Sequence, residues 1–348
     1  MSYYIERFYP NKVSEEFWKS YFDYNEKIFS EFNLGEPFPS RHQEKNFIKN
    51  PHPHYNIYRW LIFSEIEPRE IIGDGLLWHQ NKHTPDYENV KEKSYFRINI
   101  LKEFRRRGLA TEMLKILVKE AKRLDKTILR AEVRNDLAVG FCNNFQGEIV
   151  AKRATNRLYI ADIDWDLMDQ WRTDGKIKAS DVTLQFFKNV PNEIIEEYCK
   201  LYTIVFNDAP AEDIAGEVII TPEKRRIDEK LYSENNLEWI TLISRENDGT
   251  ISGLTEIFHN KEYKIEIEQE LTGVLEPYRG RGLGKLLKAE MLFYIKENYP
   301  ETEFIQTGNN DKNKPMLSIN QRMGFKRHKD ETFFEFNIEK LEGLLENK

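Results

Sequence analysis

Apolar residues recur along this chain at two spacings, and together they predict a mixture of helices and strands. Apolar positions three and four residues apart indicate amphipathic helices, whereas short apolar or alternating runs indicate strands. In the first half, strands are predicted near 2–9, 56–64, 70–79, 93–101 and 127–133, with two closing strands within 147–162. Helices are predicted near 14–33, 40–50 and 135–145, with another that opens at Gly108.

The second half of the chain repeats this order of elements. Its strands are predicted near 182–189, 236–245, 250–259, 264–275, 302–307 and 325–338, and its helices near 191–207, 222–233, 282–298 and 313–323. Between the halves, residues 164–180 show little periodicity. The pattern therefore predicts two domains, 1–163 and 181–348, joined by a linker over 164–180.

One short motif occurs in both halves at matching positions. Residues 100–110 align with residues 274–284 at an offset of 174 (274 − 100). The repeated letters are an arginine, a glycine three positions later and a small residue two positions beyond that: Arg105, Gly108 and Ala110 in the first copy, Arg279, Gly282 and Gly284 in the second. This repetition indicates a duplication, because the flanking elements also recur in the same order.

The second copy of the motif follows a predicted strand and opens a predicted helix, where anions bind. The first helical turn has unpaired N–H groups and a partial positive charge, and glycine lets an anion approach the backbone. Arg279, Arg281 and Lys285 add positive charge. A Rossmann motif would need glycine at Lys285 or Leu287, and a P-loop would need Ser or Thr at Leu286. The segment is therefore predicted to be a different kind of pyrophosphate cradle.

The remaining pattern, R-x-x-G-x-G/A after a strand, resembles motif A of the Gcn5-related N-acetyltransferases (GNATs). The second half also carries an Asn-led helix ending in Gly-Phe, from Asn313 to Phe325. With a copy in each half, the chain resembles the tandem acetyltransferases, a group that includes mycothiol synthase. This resemblance implies an α/β (α+β) chain of two tandem GNAT folds, each a mixed, mostly antiparallel sheet of six to seven strands flanked by helices.

The resemblance also implies a cofactor, acetyl-CoA, with up to one molecule per domain and no metal. In the second half, the implied binding residues are Leu271, Thr272, Gly273, Val274, Arg279, Gly280, Arg281, Gly282, Leu283, Gly284, Lys285, Asn309 and Asn313. In the first half, they are Ile100, Arg105, Arg106, Arg107, Gly108, Leu109 and Ala110. The first site is expected to be degenerate, because Ala110 replaces a glycine and its loop is bulkier.

Members of this family often use a carboxylate on the strand before motif A as a general base. In the second half, Glu266, Glu268, Glu270 and Thr272 alternate along that strand and are predicted to share one face. Glu268 lies six residues before Val274, the spacing of the catalytic glutamate in histone-acetylating relatives, so it ranks slightly above Glu270. In the direct alignment the first half has Ser94 and Phe96 at these positions. The second domain is therefore predicted to be catalytic.

The tyrosine that many family members use to protonate the departing thiolate is missing from both halves. Asn320 stands there in the second half and Cys142 in the first. Since a thiol has a pKa near 8.5, a thiolate can leave without much help, and acetyl transfer remains the favoured function. The alternative is a non-catalytic protein that binds or senses acyl-CoA.

Composition narrows the class of acceptor and partner. The net charge of −7 argues against nucleic acid and slightly favours a cationic substrate, so the expected acceptor is an amine on a small molecule or peptide. Two cysteines are too few for a disulfide scaffold or a zinc cluster, and His52 and His54 are predicted to be loop residues. With no signal peptide or membrane span predicted, we expect a cytoplasmic monomer or homodimer.

Overall fold

A computed structural model of the chain describes residues 2–33, 35–65, 69–208 and 217–346. They fall into two compact units. Unit 1 comprises residues 1–150 and 332–348, and unit 2 comprises residues 151–331. Within the described ranges, no helix is long and apolar enough to cross a membrane, and no group of three metal-ligating side chains is placed to hold a metal ion.

The predicted helices and strands occur in the predicted order, but three further helices, over residues 87–90, 165–178 and 338–346, were not predicted. The first part of the chain forms β1 (Tyr3–Phe8), α1 (Glu15–Phe32), α2 (Arg41–Lys49), β2 (Tyr55–Ser64), β3 (Ile71–Gln80), α3 (Tyr87–Val90), β4 (Lys93–Ile100), α4 (Leu109–Arg123), β5 (Ile128–Val133), α5 (Asp136–Asn144) and β6 (Glu148–Tyr159). The remainder forms α6 (Trp165–Lys178), β7 (Thr183–Phe187), α7 (Ile195–Asp208), α8 (Pro222–Glu234), β8 (Leu237–Arg245), β9 (Ile251–Asn260), β10 (Glu266–Val274), α9 (Leu283–Asn298), β11 (Phe304–Asn310), α10 (Lys314–Met323), β12 (Lys326–Asn337) and α11 (Ile338–Glu346).

Each unit is built on a mixed, mostly antiparallel sheet, which confirms the predicted fold class. In unit 1 the described strands lie in the order β1-β2-β3-β4-β5-β12, and only β4 and β5 run parallel. In unit 2 the order is β7-β8-β9-β10-β11-β6, and only β10 and β11 run parallel. The two sheets therefore repeat one topology, as expected of a duplicated chain.

The last strand of each sheet comes from the other half of the sequence. In unit 1, β12 pairs with β5, from Thr332 opposite Val133 to Asn337 opposite Ile128. In unit 2, β6 pairs with β11, and Tyr159 lies opposite Phe304. The sequence predicts two closing strands within 147–162, whereas the structure forms one long strand there, β6. Periodicity identifies a strand but does not identify its partner, so the exchange could not be predicted.

The segment predicted as a linker forms helix α6 and lies in unit 2. Asp164 begins this helix by accepting a hydrogen bond from the backbone N–H of Leu167 at 2.9 Å. Gly175 lies so close to α9 that an added Cβ would stand 2.7 Å from Cβ of Leu286. Trp171 is buried in one core with Leu287 and Met291 of α9. The units therefore divide at 150/151 and 331/332, and residues 164–180 are part of unit 2.

Both faces of each sheet carry helices. In unit 1, α4 buries Met113, Leu114 and Leu117 against one face, while the other face packs against aromatic residues of α1. In unit 2, α9 buries its apolar side in the same way, and α7 covers the opposite face. This arrangement leaves the start of α4 or α9 at the end of the strand that precedes it, where the repeated motif lies.

The two motif loops have different residues at one position where the backbone is left-handed, and this difference should affect stability. Arg106 has a φ of 62°, and its counterpart Gly280 has a φ of 83°. This left-handed conformation costs an L-residue about 1–2 kcal/mol, whereas glycine adopts it freely at some cost in unfolded-state entropy. We therefore expect Arg106→Gly to raise the free energy of unfolding by about 1 kcal/mol in urea titrations. Gly280→Arg, the matched control, is expected to lower it; a loss of stability in Arg106→Gly would contradict the argument.

Candidate functional site

Strand β10 of unit 2 contains a β-bulge beside its parallel neighbour. Gln269 pairs with Ile257, but Thr272 pairs with Thr255, so Glu270 and Leu271 together lie opposite one residue of β9. Pairing of β10 with β11 ends at Glu268, six residues before the end of the strand at Val274. The second part of β10 is therefore released from β11, just before the loop that leads into α9.

The bulge changes which side chains share a face. Leu271 packs against the apolar residues of α7, and an added Cβ at Gly273 would stand 2.0 Å from Cγ1 of Val205 on that helix. Thr272 lies between them on the opposite face, where its Oγ1 is 2.7 Å from Oγ1 of Thr255. The predicted alternation of Glu266, Glu268, Glu270 and Thr272 is therefore wrong at Thr272, because the extra residue reverses the faces beyond it.

The bulge also corrects the alignment between the halves. Glu268 pairs with Phe258, and the residue of unit 1 that pairs with the matching Trp78 is Tyr95, not Ser94. Strand β4 pairs with β3 in one unbroken register from Ile100 to Tyr95, so unit 1 has no bulge there. The first half still lacks both carboxylates, and Arg97 occupies the level of Glu270.

Glu270 is the carboxylate of this site with the strongest electrostatic perturbation. Burial, with the nearby carboxylates of Glu268 and Glu256 adding to it, raises the pKa of Glu270 to about 8. Glu268 is exposed. The structure thus places both predicted bases on the side of the sheet that α7 covers, and it distinguishes them by burial.

A buried polar cluster adjoins Glu270 on the same side. Glu256 accepts hydrogen bonds through Oε1 from Tyr198, from Nη1 of Arg225 at 2.9 Å and from Thr241 at 2.7 Å. Its second oxygen, Oε2, is buried without a hydrogen-bond partner in the described chain. Arg225 pairs with Glu256, and the carboxylate of Glu268 also lies near Glu270, so the cleft around Glu270 is acidic.

The start of α9 provides a cradle of unpaired backbone donors. Gly280 and Gly282 both have a φ of 83°, and an added Cβ at either would meet nothing within 4 Å. The N–H groups of residues 281–284 donate to no acceptor among the described residues. Leu283 is buried in the core, and Gly284 follows it. Oriented donors, open space and a helix N-terminus together fit a phosphate group.

The motif arginines are held by carboxylates at both helix starts. Arg279 donates from Nε to the carbonyl oxygen of Val274 at 2.9 Å and from Nη2 to Asp208 at 2.8 Å. Arg105 repeats both contacts, with the carbonyl oxygen of Ile100 at 2.8 Å and with Glu31 at 2.7 Å. Each arginine thus ties its loop to the end of the preceding strand. Arg281 likewise pairs with two carboxylates, Glu246 and Asp181.

A basic patch beside the start of α9 includes residues that sequence reasoning missed. Lys285 Nζ lies 5.2 Å from the ring centroid of Trp171, and Arg322 Cζ lies 5.5 Å from it. Burial, and then the charges of Arg322 and Lys178, lower the pKa of Lys285. Of these residues, only Lys285 was predicted to bind the cofactor, because Trp171 and Lys178 lie in the segment predicted as a linker. The tryptophan in that segment was the sequence signal that it packs against the rest of the protein.

The three predicted asparagines have structural partners. Asn309 accepts through Oδ1 from Nδ2 of Asn320 at 2.8 Å and from Nδ2 of Asn156 at 3.2 Å. Asn320 is 2% exposed, and its Oδ1 has no partner in the described ranges. Asn313 begins α10 by accepting from the backbone N–H of Met316 at 3.3 Å. An amide does not titrate, so Asn320 cannot supply a proton.

The copy of the motif in unit 1 keeps the helix start but lacks the bulge and the carboxylates of unit 2. Gly108 has a φ of 82° and open space around it, Ile100 and Leu109 are buried core residues, and Ala110 packs beside them. Arg107 is exposed and donates to the carbonyl oxygen of Glu103 at 2.8 Å. Burial raises the pKa of the Cys142 thiol to about 12, so this residue cannot replace the missing tyrosine as an acid.

Helix α9 carries a buried lysine that should weaken the fold. Lys288 is 1% exposed, its counterpart in unit 1 is Leu114, and burial lowers its pKa to about 7. An unfolded lysine keeps its proton up to about pH 10, so the penalty is fully present below pH 7 and fades as pH rises to 10. We expect Lys288→Met to raise the free energy of unfolding by up to about 4 kcal/mol at pH 7 and much less at pH 10.

Urea unfolding of Lys288→Met at pH 6, 7 and 10 tests this expectation. Lys296→Met is the matched control, because Lys296 lies on the same helix and is exposed. The control loses only the contact between Lys296 Nζ and the ring of Trp165, whose centroid lies 4.0 Å away, and is expected to change stability by less than about 1 kcal/mol at every pH. A Lys288→Met chain no more stable than the wild type at pH 6 would show that the lysine is compensated.

Comparison with solved structures identifies the fold. A tandem GNAT protein from the clavulanic acid biosynthesis pathway matches with a TM-score of 0.75 and 16% identity, over 97% of this chain and 99% of that one. A GCN5-related N-acetyltransferase from Sphaerobacter thermophilus matches with a TM-score of 0.63 and 13% identity, over 97% and 96%. The glucosamine N-acetyltransferase region of a fungal multi-domain GH3 β-N-acetylglucosaminidase matches with a TM-score of 0.66 and 10% identity, over 96% and 38%.

The chain therefore has the tandem GNAT fold. No family model and no curated protein matches its sequence. At 10–16% identity, these structures establish architecture alone.

Proposed function

We propose that this protein is an acetyl-CoA-dependent N-acetyltransferase and that unit 2 carries out the reaction. The acceptor is a primary amine of a small molecule or peptide. The observation that carries the proposal is the position of Glu270, a half-buried carboxylate with a raised pKa on the bulge of β10. The strand that holds it leads directly into the anion cradle at the start of α9.

The residues at the start of α9 fit the cofactor. Unpaired N–H groups of residues 281–284 would hold the pyrophosphate, and the glycines leave it room. Lys285, Lys178 and Arg322 would add charge for further phosphate. The released part of β10, residues 270–274, would bind the arm that carries the acetyl group. Acetyl-CoA supplies the activated acetyl thioester when bound.

Glu270 would accept the proton of the incoming ammonium group. A general base works best when its pKa lies near the working pH, and burial brings the pKa of Glu270 to about 8. Glu268 and Glu256 would attract the cation to the cleft, because both place negative charge beside Glu270. This assignment ranks Glu270 above Glu268, whereas sequence spacing ranks Glu268 first.

The departing thiol group would leave as a thiolate. Asn320 has an amide where many relatives have a phenol, and its Nδ2 already donates to Asn309. A thiol with a pKa near 8.5 needs little protonation at neutral pH, so the reaction does not require an acid at this position. We assign unit 1 no chemical step, because its strand β4 has no bulge and Arg97 stands at the level of the base.

The proposal is tested by incubating the full chain with acetyl-CoA and a panel of amines. Amino sugars, polyamines, amino acids and peptides with free N-termini cover the main classes. Release of free thiol, followed spectroscopically, should depend on the amine, and mass spectrometry should find an acceptor heavier by one acetyl group. Binding of acetyl-CoA without thiol release for any amine would favour the alternative, an acyl-CoA-binding or sensing protein, for which the missing acid is the supporting observation.

A further inference from the structure

Two arginines flank one position on the sheet of unit 1, on the face that α1 covers. Leu76 of β3 pairs with Arg59 of β2 on one side and with Arg97 of β4 on the other. Side chains opposite one another in a sheet point to the same face, so both guanidinium groups lie on one side. The neighbouring Leu61 packs against α1, which identifies that face. Two strand spacings separate the arginine backbones, roughly 10 Å.

Arg59 is half-buried here and makes no hydrogen bond or ion pair with a described residue. Burial lowers the pKa of Arg59 and the positive charge of Arg97 adds to this effect, while the charges of Tyr21, Asp74 and Glu44 act in the opposite direction. A desolvated charge without a partner costs stability, so its presence calls for a compensating group.

Arg97 is positioned to act with Arg59. Its Nη2 lies 3.4 Å from Oδ2 of Asp74, which is a long contact. Asp74 already accepts from Tyr24 at 2.7 Å and from Nδ2 of Asn99 at 3.0 Å. The Arg97 side chain is 52% exposed, so solutes can reach it.

The acidic groups in this cleft do not offset both arginines at neutral pH. Burial raises the pKa of Glu44 on α2 to about 7, and its Oε1 accepts from Asn25 at 2.8 Å. The charged groups are thus Arg59, Arg97, Asp74 and a partly ionised Glu44. Tyr21 and Tyr24 also face the cleft and stay neutral, because burial raises both of their pKa values. The net charge is positive.

The equivalent place in unit 2 carries the opposite charge. Glu256 stands where unit 1 has Leu76, Thr241 stands where it has Arg59, and Glu270 lies at the level of Arg97. The buried arginine of unit 2, Arg225, donates to Glu256, Glu229 and Thr241, so all of its charge is paired within the protein. Arg59 has no comparable hydrogen-bond acceptors among the described residues. Arg225 therefore has a structural role, whereas Arg59 is available to a ligand.

We propose that unit 1 binds the oxyanion group of a small molecule, a carboxylate or a phosphate, between Arg59 and Arg97. Guanidinium groups suit both groups, because their planar donors match oxyanion geometry. The site adds a binding function to a unit without catalytic carboxylates, and it does not depend on acetyl transfer in unit 2. Bound anion would supply the partner that Arg59 lacks.

Thermal unfolding and calorimetry with inorganic phosphate and with succinate, each at constant ionic strength set with sodium chloride, test the proposal. Saturable binding to the wild type is expected. Arg59→Met and Arg97→Gln should each weaken it at least tenfold. Arg134→Gln is the control, because Arg134 is 52% exposed and pairs with Glu132. Without ligand, Arg59→Met should melt no lower than the wild type, since it removes an unpaired charge; should it fail to fold, Arg97→Gln carries the test.

The pH dependence provides a second readout. As pH falls from 8 to 6, Glu44 takes up a proton and the cleft becomes more positive, so the affinity for succinate, which stays largely doubly ionised over this range, should rise. A response to phosphate alone would identify a phosphate-bearing ligand, and a response to succinate alone a carboxylate. If neither anion binds saturably, or if the Arg59→Met and Arg97→Gln chains bind as the wild type does, the proposal is overturned. Phosphate bound at the start of a helix instead would give unchanged binding in the Arg59→Met and Arg97→Gln chains.

Discussion

Replacing Glu270 with glutamine is expected to slow acetyl transfer by about 10²–10⁴-fold at pH 7, the usual contribution of a general base. The affinity for acetyl-CoA should change little, because the anion cradle lies elsewhere on the chain. Glu268→Gln should have a smaller effect, since Glu268 is exposed and only adds negative charge. Steady-state kinetics with a saturating acceptor, combined with calorimetry for the cofactor, separate these effects.

The pH profile gives an independent check on Glu270. Below about pH 8 its carboxyl is protonated and cannot accept a proton, so wild-type activity should rise with pH up to that value. In Glu270→Gln the remaining dependence should follow the amine alone, so high pH restores part of the rate. Full activity at pH 7 in a chain with both Glu268→Gln and Glu270→Gln would refute the assignment.

Loss of stability cannot explain a slow Glu270→Gln chain. The folded pKa of Glu270, about 8, lies above the unfolded value, so the native state binds more protons between pH 4 and 8. Ionisation of this group therefore weakens the fold as pH rises through that range. Glutamine removes the penalty, and the variant should be at least as stable as the wild type at pH 8.

Gly282→Glu is expected to weaken acetyl-CoA binding to unit 2 by at least about 100-fold, equivalent to roughly 2.7 kcal/mol. The change puts a carboxylate at the start of α9, where unpaired N–H groups would face the pyrophosphate, and forces a side chain onto a φ of 83°. Calorimetry measures the affinity, and native mass spectrometry counts cofactor molecules per chain. Unchanged affinity would remove the cradle from the proposal.

Gly108→Glu is the matched control, because Gly108 has nearly the same φ, 82°, and the same open surroundings in unit 1. If both helix starts bind acetyl-CoA, the wild type should carry up to two molecules and each variant up to one. If only unit 2 binds it, Gly108→Glu should leave a single molecule in place and Gly282→Glu should remove it.

The sequence was most informative where local pattern determines local structure. The periods of apolar residues located the strands and most helices, though not α3, α6 or α11, and the repeated Arg-x-x-Gly letters located both helix starts. Gly282 and Gly108 have the left-handed conformation for which glycine is suited, so their positions in the motif reflect backbone geometry. These features depend on neighbours within a few residues, and a single sequence can therefore reveal them.

Features that depend on distant pairing were not predictable. The bulge at Glu270 becomes visible only in the pairing of β10 with β9. Because the sequence alignment of the two halves had no gap there, it matched Glu268 with Ser94, whereas the strand pairing matches it with Tyr95. The burial that distinguishes Glu270 from Glu268 arises from packing between β10 and α7. The same holds for Arg59 and Arg97, which are 38 positions apart (97 − 59) and meet only across β3.

The exchanged closing strands determine how this chain can be divided. A fragment that ends at residue 163 keeps β6 but loses β12, so β5 would present an open edge. A fragment that starts at residue 181 has the reverse defect at β11. Exposed strand edges recruit other chains, so separately expressed halves should aggregate or find each other. Mixed together, the two fragments can restore both sheets, which makes this protein a natural candidate for a split reporter.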